Sequence, residues 1–387
     1  MQQNHDQASF ELKQEEPLLK RLYVDNVRCL SNFELTPAQV SVLVGANGVG
    51  KSTVLEVLRA LFVLLNADAP SIQTLFGPGS CTRWDSRKLQ KVALDVSEPG
   101  GQDFSYSLEI EHDPDKRATV IRQERLIGNG QLLYSSSNGE VQLFGDDASA
   151  NPRTRFPVDP RRSFLPVLEP RGDNKGITAF KNWLTRCWLF KLRPEQLDPF
   201  SESEARAIAT DGRNFVSWYR TLQQEAPEVT QKVRKDLAPI IPGLHSIKLS
   251  PAGSSKLLTF DCSLGGNSFS LTLAELSDGQ RALLILYTIL HAVADRASLL
   301  LIDEPDNFVA DPEIQPWLAA LRQRVVDTGT GTLLILSHHP AVIDYIAADQ
   351  VLRLSRDNGP TRVATVDVDR TKGLAASEWL RLEGTNA

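Results

Sequence analysis

The stretch Gly45-Ala46-Asn47-Gly48-Val49-Gly50-Lys51-Ser52-Thr53 constrains this chain more than any other. Glycine, four residues, then Gly-Lys-Ser is the form of a phosphate-binding P-loop. Its flanks are those the motif requires. An apolar strand, Val40 to Val44, runs in. A helical pattern, Thr53 to Leu65, runs out with Val54, Leu55, Leu58, Leu61, Phe62 and Leu65 on one face. Glycines let the backbone curl so that its N–H groups point inward at phosphate oxygens. The helix N-terminus adds a partial positive charge. In this pattern Lys51 reaches the β- and γ-phosphates and the Ser52 hydroxyl binds Mg²⁺.

A second stretch extends that chemistry. Leu299-Leu300-Leu301-Ile302-Asp303-Glu304 is an apolar strand ending in two carboxylates. Mg²⁺ prefers few protein ligands and keeps its waters, so Asp303 suits it at the strand tip. Glu304 then sits beside the γ-phosphate, where a carboxylate orients or polarises the attacking water. Leu276-Ser277-Asp278-Gly279-Gln280 lies 23 residues before Asp303. Taken alone, Ser277 is an N-cap for the apolar helix Ala282 to Leu290. A further apolar strand, Leu333 to Leu336, runs through Ser337 into His338-His339-Pro340. Adjacent residues on an extended chain point apart, which argues against a metal pair of His338 and His339.

These motifs, in this order, resemble those of ABC-type ATPases. By that resemblance Ser277, Gly279 and Gln280 belong to the Leu-Ser-Gly-Gly-Gln signature, with Asp278 in place of the first glycine. They would face the γ-phosphate of a nucleotide held by another subunit. His338 would be the switch histidine. Glu304 to Pro312 is similar to the D-loop, one residue longer than usual before Asp311-Pro312. Asp311 also reads as an N-cap with Pro312 first in its helix, and Pro316 as a kink or a shifted start.

Residues 20–370 as a whole resemble the SMC/RecF-like ABC ATPases. They look most like the stand-alone AAA-type ATP-binding proteins related to the ATPase part of OLD-family nucleases. The stretches that carry this are Asp211-Gly212-Arg213-Asn214-Phe215, Ile241-Pro242-Gly243-Leu244, Leu276 to Gly279 and Asp303 to Phe308. The resemblance implies ATP and Mg²⁺ as ligands, with a Q-loop expected between residues 85 and 170. Two departures stand out. The long coiled coils of SMC proteins are missing between P-loop and signature. The short stretch after the last strand leaves no room for the Toprim nuclease domain of OLD nucleases, so no output domain is expected.

The rest of the chain fits around these motifs. Residues 1–19 are polar and aperiodic, as in a mobile tail. Short alternating strands from about residue 88 to 145, punctuated by Gly100-Gly101 and Asn138-Gly139, predict an antiparallel meander. Residues 151–174 carry five prolines and Arg153, Arg155, Arg161, Arg162 and Arg171. They form either a solvated connector or an arginine-lined surface for nucleic acid or an acidic partner. Phe180, Trp183, Leu184, Cys187 and Trp188 fall at helical spacing and open a helical segment. The expected fold is therefore α/β: an ABC/SMC-type ATPase head with an antiparallel β-subdomain and a short helical arm. Its parts are a tail at 1–19, an N-terminal half of the head at 20–165, the arm at 166–245, a C-terminal half at 246–370 and a tail at 371–387.

A net charge of −6 argues against a uniformly basic nucleic-acid coat. Cys29, Cys81, Cys187 and Cys262 are scattered without a CxxC pair, which fits a reducing cytoplasm and gives no zinc site. No apolar run reaches the ~18 residues of a membrane span. The Lys51–Asp303 separation of 252 residues argues against a minimal transporter subunit. Two functions remain in view. One is an ATPase that forms a homodimer, or a higher oligomer, around ATP and gates a separate effector, a nuclease or toxin, in anti-phage defence. The other is a RecF-like repair ATPase that binds DNA itself.

Overall fold

The computed structural model describes residues 18–66, 69–98, 100–113, 118–147, 151–329, 331–346, 350–366 and 377–378. Most of the expected N- and C-terminal tails therefore lies outside the described residues. Leu18 and Leu19, placed in the first tail by sequence, are buried, and Leu19 opens the first strand.

The described residues form three sheets. The first is antiparallel and eight-stranded, in the order β2 (Phe33–Leu35), β1 (Leu19–Asp25), β4 (Leu89–Ser97), β5 (Asp103–Asp113), β6 (Ala118–Gly128), β7 (Gln131–Ser137), β8 (Glu140–Leu143), β9 (Thr154–Pro157). The meander predicted by alternation is present. Asn129-Gly130 and Asn138-Gly139 have positive φ at both positions, the turn geometry that matches the twist of two-residue hairpins. β9 draws part of the arginine-rich connector into this sheet.

The second sheet carries the P-loop. Its order is β10 (Cys187–Phe190), β15 (Leu299–Asp303), β16 (Thr332–Leu336), β3 (Val40–Val44), β17 (Gln350–Ser355), β18 (Arg362–Val366). All neighbours are parallel except the hairpin β17–β18. Successive side chains of a strand face opposite ways, and here both faces are covered. Val42, Leu300, Ile302, Leu333 and Ile335 pack in one core with α6 (Asp278–Ala292), α7 (Asp311–Thr328), α4 (Phe215–Glu225) and α5 (Pro227–Leu237). Leu43, Leu299, Leu301, Leu334 and Leu336 pack in the other, with α1 (Lys51–Leu64) and the first sheet. Two-sided burial is why these strands read as unbroken apolar runs.

The third sheet joins β12 (Leu244–Ala252) to β13 (Ser255–Leu264), whose other edge carries β11 (Phe200–Ser201) and β14 (Asn267–Thr272). Short helices α2 (Ile72–Leu75) and α8 (Pro340–Ile346) complete the α-helices of the described residues with α3 (Lys175–Thr185). No helix among the described residues is long and apolar enough to cross a membrane.

Two expectations need correction. The helical stripe from Phe180 to Trp188 breaks at Thr185. Cys187 and Trp188 belong to β10, paired with Leu299 and Leu300, so the stretch at 166–245 contributes a strand to the core sheet as well as helices. Asp311 is not a cap: Ala310 holds the N-cap position, and Asp311 lies in the first turn of α7. That helix runs through Pro316 without a break in its assignment.

Candidate nucleotide site

Parallel strands end together, so the residues just past each strand gather at one edge. Here β3 delivers the P-loop, β15 delivers Asp303 and Glu304, β16 delivers Ser337 and His338, and β10 delivers Lys191.

The P-loop backbone is built for close approach. Gly50 has φ 113°, and a Cβ there would stand 2.8 Å from Cys29 Sγ and 3.0 Å from Thr361 Oγ1. Gly48 has φ 80° and open space where a side chain would be. Ala46, Asn47 and Gly48 are exposed, and Val49 is held through its carbonyl by the Thr361 hydroxyl at 2.6 Å. Thr53 is buried behind the loop, its hydroxyl 3.7 Å from Cys29 Sγ. No side chain caps the N-terminus of α1, which leaves its first N–H groups for an anion. Lys51 is 7% exposed and folds back to donate to the carbonyls of Gly45 and Ala46. Burial pulls its ammonium below the ordinary lysine range, against the opposing pull of Glu304 and Asp303.

Ser52 and Asp303, 251 residues apart in sequence, meet: the Ser52 hydroxyl donates to Asp303 Oδ2 at 3.2 Å. The Asp303 side chain is 1% exposed, and its Oδ1 is buried with no hydrogen-bond partner among the described residues. A buried carboxylate oxygen left without a donor is costly. A small, hard divalent cation satisfies it, and hydroxyl and carboxylate oxygens are the donors Mg²⁺ takes. These residues therefore fit the metal.

Glu304 sits just past the strand with φ 50°. Its Oε2 accepts from Asn307 at 2.9 Å, and its Oε1 lies 3.5 Å from His338 Nδ1. His339 turns the other way, to Asp311 at 3.4 Å. Ser337 donates to Asp306 at 2.9 Å and ties the loop after β15 to the tip of β16.

Ser277 is exposed and caps α6. Its hydroxyl accepts from the Gln280 N–H at 3.2 Å, while the Gln280 side chain accepts from the Ser277 N–H at 3.1 Å. The cap read from the sequence is present, and the serine that makes it faces solvent. Gly279 has a reason the sequence did not offer. A Cβ there would stand 2.6 Å from the Phe308 carbonyl oxygen, so the signature packs directly on the loop after β15. Phe308 itself is 53% exposed with φ 75°.

Sequence reasoning missed Lys191. Its Nζ donates to Asp303 Oδ2 at 2.7 Å and to Ser52 Oγ at 3.2 Å. Lys191 reaches the Ser52–Asp303 pair from a stretch that lies between the P-loop and the signature in sequence. The available signal was a short aromatic run, Cys187 to Phe190, ending in a lysine.

Strand order, P-loop, acidic strand tip and signature define a P-loop ATPase head of the ABC/SMC type. The family described as "AAA domain, putative AbiEii toxin, Type IV TA system" matches residues 40–183 and 243–344, and this chain belongs to that family. An OLD nuclease of Thermus scotoductus is 32% identical over 363 residues, covering 89% of this chain. The chain spans 63% of that relative's length. The fold is also that of an SMC head solved bound to the C-winged helix domain of ScpA, with 13% identity, a TM-score of 0.52, and 92% and 100% of the two chains covered. An SMC head domain from Thermotoga maritima aligns with a TM-score of 0.45 at 14% identity, over 90% of this chain and 99% of its own.

Proposed function

We propose that this chain binds ATP with Mg²⁺ at the edge formed by β3, β15 and β16, hydrolyses it, and pairs head to tail with a second copy around two nucleotides. The observation that carries the chemistry is the meeting of Ser52, Asp303, Glu304 and His338 beside an uncapped P-loop. Lys51 neutralises the phosphates, and Gly48 to Gly50 present N–H groups to them. Ser52 and Asp303 would hold Mg²⁺, which would supply positive charge against the developing charge of the phosphates. Glu304 takes the proton side of the attacking water, and His338 orients Glu304 from 3.5 Å.

The pairing draws on exposure. Ser277 and Phe308 are solvent-facing in a single chain, yet Phe308 is a bulky apolar residue in a backbone region such residues avoid. Strain of this kind persists where function holds it. In the pair, Ser277, Gly279 and Gln280 of each copy complete the other's site. ATP binds the closed pair better than open copies, and hydrolysis releases it.

The output we propose is gating of a separate effector, a nuclease or toxin, in anti-phage defence, within the cytoplasm. Direct DNA binding through the arginine-rich connector has weaker support. Arg153 is engaged by Asp147 and Asp173, and Arg161 by Asp159, which lowers the field the connector offers a phosphate backbone. Salt-sensitive DNA binding that vanishes when Arg155, Arg162 and Arg171 are changed together would reverse that preference.

The test of the site is Glu304→Gln. It should leave ATP binding intact, cut turnover by about 10²–10⁴-fold, and accumulate an ATP-bound dimer in size-exclusion chromatography. Turnover at the normal rate removes Glu304 from the chemistry.

A further inference from the structure

Lys191 stands where a divalent cation belongs. One ammonium spans both residues that fit Mg²⁺, 2.7 Å from Asp303 Oδ2 and 3.2 Å from Ser52 Oγ. Metal–oxygen distances for Mg²⁺ are about 2.1 Å, so an ion bonded to the same two oxygens would lie within a few ångströms of this Nζ. Two cations so close repel, and the site holds one or the other.

The rest of the residue suits an ion that can leave. Its backbone is fixed: Phe190 pairs with Ile302, the Lys191 N–H donates to Thr210 O at 2.9 Å, and the Arg193 N–H donates to Asp211 O at 3.0 Å. The side chain is held only at its tip. It is 43% exposed, while Asp303 is 1% exposed, and a lysine stem rotates freely into solvent. The segment that braces Lys191 is Thr210 to Phe215. Gly212 there, at φ 82°, lets the turn lie against Leu192 and Ile285. Lys191 falls in residues 184–242, between the two stretches that match the family.

We propose that Lys191 is a tethered counter-ion. It neutralises Asp303 when nucleotide is absent and excludes divalent metal from the Ser52–Asp303 position. It yields that position when metal arrives with nucleotide phosphates, so that metal entry is coupled to nucleotide binding. This rests on the reading of Ser52 and Asp303 as the metal site.

The experiment uses Mn²⁺ as the probe, counting free ion by its paramagnetic resonance signal, on the full chain without nucleotide. Wild type should bind weakly. Lys191→Met should bind at least about 10-fold more tightly, because one competing charge is gone. Lys191→Arg should stay weak, and adding Asp303→Asn to Lys191→Met should abolish the gain. A measurement on unaltered protein does not depend on the variants folding. Acetylation of Lys191 by an amine-reactive ester, read by mass spectrometry, should rise when Mn²⁺ is added together with a non-hydrolysable ATP analogue and change little with Mn²⁺ alone. Equal Mn²⁺ affinity in wild type and Lys191→Met, or labelling that Mn²⁺ with the analogue does not change, overturns the counter-ion. If Mn²⁺ still binds with nucleotide in that case, the metal site survives. If neither protein binds Mn²⁺ with or without nucleotide, the reading of Ser52 and Asp303 falls, and the counter-ion with it.

Discussion

Two carboxylates in this molecule are both buried and oppositely treated. Glu124, on β6, is fully buried and accepts three hydroxyls: Tyr106 at 2.7 Å, Ser163 at 2.7 Å and Tyr134 at 3.0 Å. Asp303, on β15, has one oxygen shared by Ser52 and Lys191 and the other without a partner. Burial raises the Glu124 carboxyl above the usual range, against the three donors. The difference separates scaffold from site. Glu124 is finished within the fold and joins β5, β6, β7 and the connector at one point. Asp303 keeps an oxygen without a partner among the described residues, as the proposed metal site requires.

Replacing each in turn is the strongest way to break this comparison. Asp303→Ala should reduce Mg²⁺-dependent ATP hydrolysis by about 100-fold or more and shift the urea midpoint little, since removing a buried unpaired acceptor offsets the loss of the Ser52 and Lys191 contacts to Oδ2. Glu124→Ala should do the reverse. It strands three buried hydroxyls, so unfolding free energy should drop by about 3–5 kcal/mol, while nucleotide affinity of the folded fraction holds. If Asp303→Ala destabilises as much as Glu124→Ala, the distinction fails.

The same pair shows what a sequence can carry. Asp303 was legible because an apolar strand ending in acids is a local pattern. So were the P-loop, the parallel sheet implied by alternating helices and strands after residue 276, and the cap at Ser277. Glu124 was hidden by a bulge. β6 pairs Gln123 with Glu109 but Ile121 with Ile110, so Arg122 is an extra residue. One extra residue flips the faces beyond it and turns Glu124 inward where simple alternation sends it out. Lys191 was hidden by distance. It lies 139 residues from Ser52 and 112 from Asp303, and only the pairing of β10 with β15 brings them together. A four-residue apolar strand directly after a helix also continues the helical period by chance, which is why Cys187 and Trp188 read as helix.

Gly279 sharpens the comparison at the rim of the site. It is read as a phosphate contact from the signature, and the structure adds a packing role against the Phe308 carbonyl. Gly279→Ala should cost about 1–3 kcal/mol through that contact alone. A nucleotide-driven dimer that weakens further than this small loss explains would support a role across the pair. Unaltered stability would mean that the loop from Asn307 to Val309 gives way easily.

The smallest effect concerns a third buried group on the scaffold side. His112 is 5% exposed, with Nδ1 3.0 Å from Thr119 Oγ1 and Nε2 2.9 Å from Gln90 Oε1. Burial lowers its pKa below the ordinary 6.5. Between that depressed value and 6.5 the unfolded chain binds the proton and the native chain does not. The contribution of His112 is therefore fully present above 6.5 and is lost as pH falls through the native value. Glu124 runs the other way: its raised native pKa favours the fold below 4.5 and loses that contribution as pH rises through the native value. From pH 8 to pH 5 the urea midpoint of wild type should fall relative to that of His112→Gln, which keeps a polar side chain without the titration and shares the opposing Glu124 contribution. Parallel curves would show that His112 does not titrate on unfolding, and that the acid sensitivity of the scaffold lies elsewhere.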